Sequence, residues 1–129
     1  MDTKEQNQFK ISKRVKSFSY AVSGVKTFLK TQHNAWIHLS AALLVIIMGN
    51  LYHVDIMEWC MLIFAIGLVF TAEALNTAIE YLTDLVSPSY NEKAGKVKDI
   101  AAGAVLIAAI TACIIGLAIF VPKIYLSFH

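Results

Sequence analysis

From Ile11 onward the apolar residues fall at Ile11, Val15, Phe18, Val22, Val25 and Leu29, in steps of three and four. That spacing puts them on one stripe of a helix, with Lys, Arg, Ser and Thr on the other faces. The pattern then changes. Ala35 to Tyr52 is a nearly continuous apolar run of about 18 residues, near the lower limit for crossing a bilayer. Trp36 and Tyr52 stand at its ends, as interfacial aromatics do. His53, Asp55 and Glu58 mark a short turn. Ile56 to Val86 reads as one long helix. It rises about 45 Å, more than a hydrocarbon core of ~30 Å, so its far end must leave the lipid. The stretch "SPSYNEK" breaks it at Pro88, and Ser89 and Glu92 have capping-box spacing for the next helix. Ile100 to Val121 is a charge-free third run, closed by Pro122. The chain thus reads as one membrane domain over 1–129: a frayed tail at 1–8, a surface helix at 9–31, and spans at 35–52, 56–86 and 92–121.

Composition makes this a membrane pattern. Of 129 residues, 57% are apolar and 16% charged, against about 45–50% and about 25% in soluble domains. The net charge of +2 is small but unevenly placed. Lys4, Lys10, Lys13, Arg14, Lys16, Lys26 and Lys30 precede residue 31; Lys93, Lys96 and Lys98 form a second group; only Lys123 lies beyond. Basic residues flank cytoplasmic loops. The first helix and the 87–98 loop are therefore expected in the cytoplasm, with the 53–58 turn and the C-terminus outside. A basic amphipathic helix beside a span lies flat in the interface; the competing reading is a helix packed on a soluble partner. The first thirty residues lack an apolar core, so no cleavable signal peptide is expected. Cys60 and Cys113 lie inside apolar runs and read as buried small residues, not as a disulfide or metal pair.

Candidate chemistry concentrates in "EALNTAIEYLTD", residues 73 to 84. Glu73, Asn76, Thr77, Glu80 and Asp84 share one helix face. Glu73 lies about 25 Å along the helix from Ile56, at the edge of the hydrocarbon. A carboxylate at the bilayer centre costs about 2.5–3.5 kcal/mol, and such residues are usually buried in the bundle and tied to ions or protons. The bland alternative is an acidic helix end that pairs with Lys93, Lys96 or Lys98. It accounts for Asp84, but not for Glu73, Asn76 and Glu80 on one face. Carboxylates with an amide between them suit a hard cation such as Mg²⁺, and Lys98 followed by Asp99 opens the third span with a cation suited to phosphate. No glycine-rich phosphate loop exists in the chain, so a nucleotide would be held by side chains and the metal.

"EALNTAIEYLTD" followed by "KVKDIAAGAVLIAAI" resembles the small prokaryotic diacylglycerol kinase family, which includes undecaprenol kinases. The likeness covers about residues 10–122. It implies an all-α integral membrane fold, an interfacial helix plus three spans, assembled as a homotrimer with active sites shared between protomers. It also implies roles. Glu73 falls on the catalytic base, Asn76 on its neighbour, Glu80 on the metal-ligand glutamate and Asp84 on the acid that ends the motif. Lys98 and Asp99 match the nucleotide-site pair. Ser89, Tyr90 and Asn91 fall on the loop near the adenine. Tyr20 falls on the surface-helix aromatic near the nucleotide, and Lys13 on a basic residue there. One position departs: Gln32 stands where the family has a second metal-ligand glutamate. Its amide oxygen can ligate, without charge, and neighbouring His33 could compensate. The ending "GLAIFVPK" looks more like the undecaprenol branch.

The expectation is an ATP- and Mg²⁺-dependent kinase of a membrane lipid alcohol, diacylglycerol or undecaprenol, in a bacterial inner membrane. A non-catalytic membrane scaffold, with Gln32 as its symptom, is the alternative. An ion pathway through Glu73 and Glu80 is a third, weakened because the acids cluster at one membrane face. Three helices are expected to be too few to enclose Glu73 and Glu80. With the small residues Ala101, Ala102, Gly103, Ala104, Ala108, Ala109, Ala112 and Gly116 on the third span, this points to association of several chains.

Overall fold

The computed structural model describes residues 3–128, with side chains from residue 11 onward. Four helices account for the fold: α1 (Thr3–Thr31), α2 (His33–Leu51), α3 (Ile56–Val86) and α4 (Glu92–Ser127). Residues up to His33 form one compact unit and residues from Asn34 a second.

In the first unit, α1 begins at Thr3, ahead of the expected start at residue 9; Met1 and Asp2 lie outside the described residues. Its early Lys, Gln and Glu positions are good helix formers, which carries the helix into the expected tail. Ile11, Val15, Phe18, Val22 and Val25 are exposed. The hydroxyls of Ser17, Thr27 and Thr31 fold back onto the carbonyls of Lys13, Ser23 and Thr27, so these side chains are satisfied within the helix.

In the second unit, α2, α3 and α4 are each long and apolar enough to cross a membrane; the chain is a multi-pass membrane protein. The turn between α2 and α3 is more organised than its sequence suggested. His53 adopts a left-handed backbone (φ 48°), a conformation in which His is enriched among non-glycine residues. The Val54 amide then donates to the Gly49 carbonyl at 3.1 Å. Asp55 and Glu58 form a capping box, with reciprocal bonds of 2.9 and 2.8 Å. The Trp59 indole lies on Gly49, where a Cβ would stand 2.5 Å from the ring. Val54, Leu62, Ile119 and Phe120 form the core at this end, and Lys123 Nζ meets Glu58 Oε2 at 2.9 Å.

Three local expectations are corrected. Pro122 lies inside α4 and does not close it. A proline removes one backbone bond and crowds the preceding turn. Here Ile119 and Ile124 pack in the core, and the Lys123 ion pair holds the turn beyond. The cap of α4 is Asn91, whose Oδ1 accepts from the Lys93 and Ala94 amides. Ser89 sits too far upstream to reach them, and Glu92 pairs instead with Lys96. Cys60 and Cys113 are exposed on the single chain, not buried as expected. Only 28% of the α3 span and 17% of the α2 and α4 spans are buried, so most apolar positions face outward.

Candidate active site

The polar end of α3 turns inward as it leaves the apolar run. Glu73 is 4% and Thr77 5% exposed. Asn76 and Glu80 are half-buried and Asp84 is exposed. The face predicted from spacing thus exists, graded from buried to open along about three helical turns. α3 packs chiefly on α4, where Ala101 and Ala108 are buried; small residues allow that close approach.

One chain encloses Glu73, which corrects the expectation for that residue; Glu80 stays half-buried, as expected. α2 brings Ala35 and Ala42, both buried, and between them His38. Its Nε2 lies 2.9 Å from Glu73 Oε1. An ionised carboxylate only accepts, so with Glu73 ionised the imidazole N–H donates. The His38 ring stands edge-on to Phe70 with centroids 6.4 Å apart. Sequence reasoning missed His38. The available signal was a lone titratable side chain in "AWIHLSAALLVIIMG", since an ionisable residue inside a span is a functional candidate by default.

One turn on, Asn76 Nδ2 donates to Glu80 Oε1 at 3.1 Å. Asn76 Oδ1 and Thr77 Oγ1 are buried without a hydrogen-bond partner. A buried polar atom left unpaired costs about 1–3 kcal/mol, so these two atoms mark where another group belongs. No cluster of three or more His, Cys, Asp or Glu side chains suited to a metal exists among the described residues. The donor set here is one carboxylate and one free amide oxygen. That fits Mg²⁺, which binds oxygen, keeps several waters and takes further ligands from phosphates; it does not form a self-sufficient cage.

The remaining predicted residues have other surroundings within their own units. Lys98 Nζ pairs with Asp84 Oδ1 at 2.5 Å, as the bland reading of Asp84 anticipated. Asp99 is exposed near the start of α4. Tyr90 is 97% exposed, Ser89 is exposed in the same loop, and Asn91 Oδ1 is engaged as the α4 cap. Lys13, Tyr20 and Gln32 belong to the N-terminal unit, with Tyr20 exposed and Gln32 half-buried.

An apolar groove of about 530 Å³ runs along α2, α3 and α4. Val69, Phe70, Ala65, Ala109 and Phe120 line it, and His38 is its one nitrogen-bearing side chain. The groove therefore reaches the residue that touches Glu73.

The family model described as prokaryotic diacylglycerol kinase matches residues 19–120. Undecaprenol kinase of Bacillus subtilis (strain 168) is 40% identical over 124 residues, covering 96% of this chain and 100% of that protein. Diacylglycerol kinase of Synechocystis sp. is 42% identical over 109 residues, 84% of this chain and 62% of that protein. Diacylglycerol kinase of Escherichia coli (strain K12) is 33% identical over 107 residues, 78% and 82% of the two chains. Tyr20, Gln32 and every candidate residue of α3 and α4 fall inside the matched span, and Lys13 precedes it. With a buried carboxylate beside an apolar groove that runs along three membrane-spanning helices, the chain belongs to the prokaryotic diacylglycerol kinase family and is a lipid kinase, a transferase.

Proposed function

We propose that this chain transfers the γ-phosphoryl group of ATP to the hydroxyl of a membrane lipid alcohol, and that undecaprenol is preferred over diacylglycerol. The observation that carries the reading is the buried Glu73 carboxylate beside the end of an apolar groove. A lipid tail lying in that groove leaves its hydroxyl beside the carboxylate. Glu73 accepts the hydroxyl proton as the oxygen attacks phosphorus in line. Positioning and electrostatics then supply most of the catalysis, as expected for phosphoryl transfer. Preference for undecaprenol rests on the end-to-end likeness to an undecaprenol kinase and on the ending "GLAIFVPK".

Glu80 and Asn76 Oδ1 would hold Mg²⁺, with Gln32 as a further oxygen donor by resemblance alone. Bound with the nucleotide, Mg²⁺ supplies charge neutralisation on the phosphate oxygens. Lys98 exchanges Asp84 for phosphate, with Asp99 beside it. Ser89, Tyr90 and the free Nδ2 of Asn91 sit on the exposed loop proposed to face the adenine, with Lys13 and Tyr20 assigned to the nucleotide by resemblance. The N-terminus and the 87–98 loop face the cytoplasm of a bacterial inner membrane, on the basic-residue asymmetry. The active unit is a homotrimer with composite sites, and the reaction recycles a lipid carrier or phospholipid precursor.

Purified protein in mixed micelles, given both lipids and γ-labelled ATP, tests this. The expected result is Mg²⁺-dependent labelling of both lipids, faster for undecaprenol. Faster labelling of diacylglycerol would reverse the preference. Labelling of neither, by protein that is folded, would overturn the reading in favour of a non-catalytic relative.

A further inference from the structure

We infer that His38 is a positioning residue that aims the Glu73 carboxylate at the acceptor hydroxyl, an inference that rests on the proposed role of Glu73 as base. A carboxylate 4% exposed needs a hydrogen-bonding partner, and His38 Nε2 is 2.9 Å from its Oε1. The two residues are 35 positions apart on different helices, so the contact is tertiary and not a product of local sequence.

The imidazole is itself held. Its ring stands edge-on to Phe70, which lies one turn before Glu73 on α3. It is largely buried, with 23% of the side chain exposed, and it lines the apolar groove. His38 therefore touches both the carboxylate and the space proposed for the lipid tail. By engaging Oε1 it fixes the carboxylate rotamer and leaves Oε2 as the oxygen open to a hydroxyl. In the transfer, the lipid O–H bond breaks and its proton passes to Glu73 Oε2. The lipid oxygen bonds to the γ-phosphorus, and the bond to the bridging oxygen breaks with its electron pair leaving on ADP. His38 keeps its Nε2 proton throughout. A merely structural histidine would only satisfy a buried charge; a positioning one makes turnover depend on a donor at that point in space.

Substitutions at His38 separate the two. His38→Leu conserves bulk and removes the donor. Turnover is expected to fall about thirtyfold, within the range that misplacement of a reacting group costs, with KM for ATP unchanged. His38→Gln places an amide N–H near the position of Nε2 and is expected to recover most of the turnover. His38→Asn carries the same amide too short to reach, and is expected to stay low. The Gln–Asn comparison decides the matter even if the Leu chain does not fold. In the Glu73→Gln background, His38→Leu is expected to cost nothing further, because its effect runs through Glu73. Wild-type turnover in His38→Leu, equal losses in the Gln and Asn chains, or an additive loss in the double variant overturns the proposal. A fully active Glu73→Gln chain instead overturns the base assignment on which it rests, so the two failures read differently.

Discussion

Replacing Glu73 by Gln separates chemistry from architecture, because the structure predicts opposite signs for the two. The amide keeps the volume of the carboxylate and an oxygen able to accept the His38 N–H now at 2.9 Å. A hydrogen bond to a charged group is worth about 1.5–3 kcal/mol and a neutral one about 0.5–1.5, so that contact weakens by about 1 kcal/mol. Against this, removal of a buried carboxylate relieves an insertion cost of up to about 2.5–3.5 kcal/mol. The fold is therefore expected to be unchanged or slightly stabilised. Turnover moves the other way. A general base contributes about 10²–10⁴-fold, or about 2.7–5.5 kcal/mol of barrier, and an amide cannot take the proton. The assay is single-turnover transfer from labelled ATP, alongside thermal unfolding in the same detergent. A loss of at least a hundredfold in a chain of undiminished stability is the expected result. Wild-type turnover refutes the base. Joint loss of activity and fold shows instead that Glu73 is half of a structural pair with His38.

Three further outcomes follow from the site. Gln32→Glu adds the missing charge at the position assigned to the metal, and is expected to lower the Mg²⁺ concentration for half-maximal activity; an unchanged or higher requirement removes Gln32 from the metal site. Thr77→Val deletes a buried hydroxyl that has no partner within the single chain, and is expected to raise the stability of the isolated chain by about 1 kcal/mol but to lower that of the assembled oligomer; a raised unfolding temperature in the oligomer shows that no neighbouring group takes up the hydroxyl. Mixing inactive Glu73→Gln chains with inactive Lys98→Met chains is expected to restore a fraction of activity if sites are shared between protomers. Background activity in demonstrably mixed oligomers assigns both residues to one chain.

The three spans were legible because lipid selects continuous apolar runs, and the acidic face because five polar residues recur at one helical spacing within a single element. What stayed hidden depends on a second element. The partner of Glu73 is 35 residues away, and no periodicity in α3 points to it. Asn91 and Ser89 are both good N-cap residues, so only the extended backbone at Asn91 decides between them. Pro122 breaks isolated helices, but the ion pair and core packing that flank it are tertiary. Cys60 and Cys113 are apolar in either setting; sequence cannot distinguish a side chain against protein from one against lipid.

The same distinction reshapes the argument for assembly. If one chain had left Glu73 open, the base itself would demand a neighbour. It does not: Glu73 is enclosed within the chain, with a partner. The incomplete part lies one turn further, where Asn76 Oδ1 and Thr77 Oγ1 are buried without partners and Glu80 is half-buried. α4 meanwhile spends Ala101 and Ala108 inside the chain, while Ala102 and Ala104 remain exposed. A helix with small residues on two sides can pack closely twice, once within its chain and once against a copy. The case for a second chain thus rests on the turn from Asn76 to Glu80, proposed to face phosphate, and not on the proposed base. Lys98 is held on Asp84 of its own chain, so the complementation experiment decides whether it serves that chain's site or a neighbour's. Glu73 and His38 are expected to work as a pair from one chain, so Glu73→Gln chains mixed with His38→Leu chains gain nothing from a shared site.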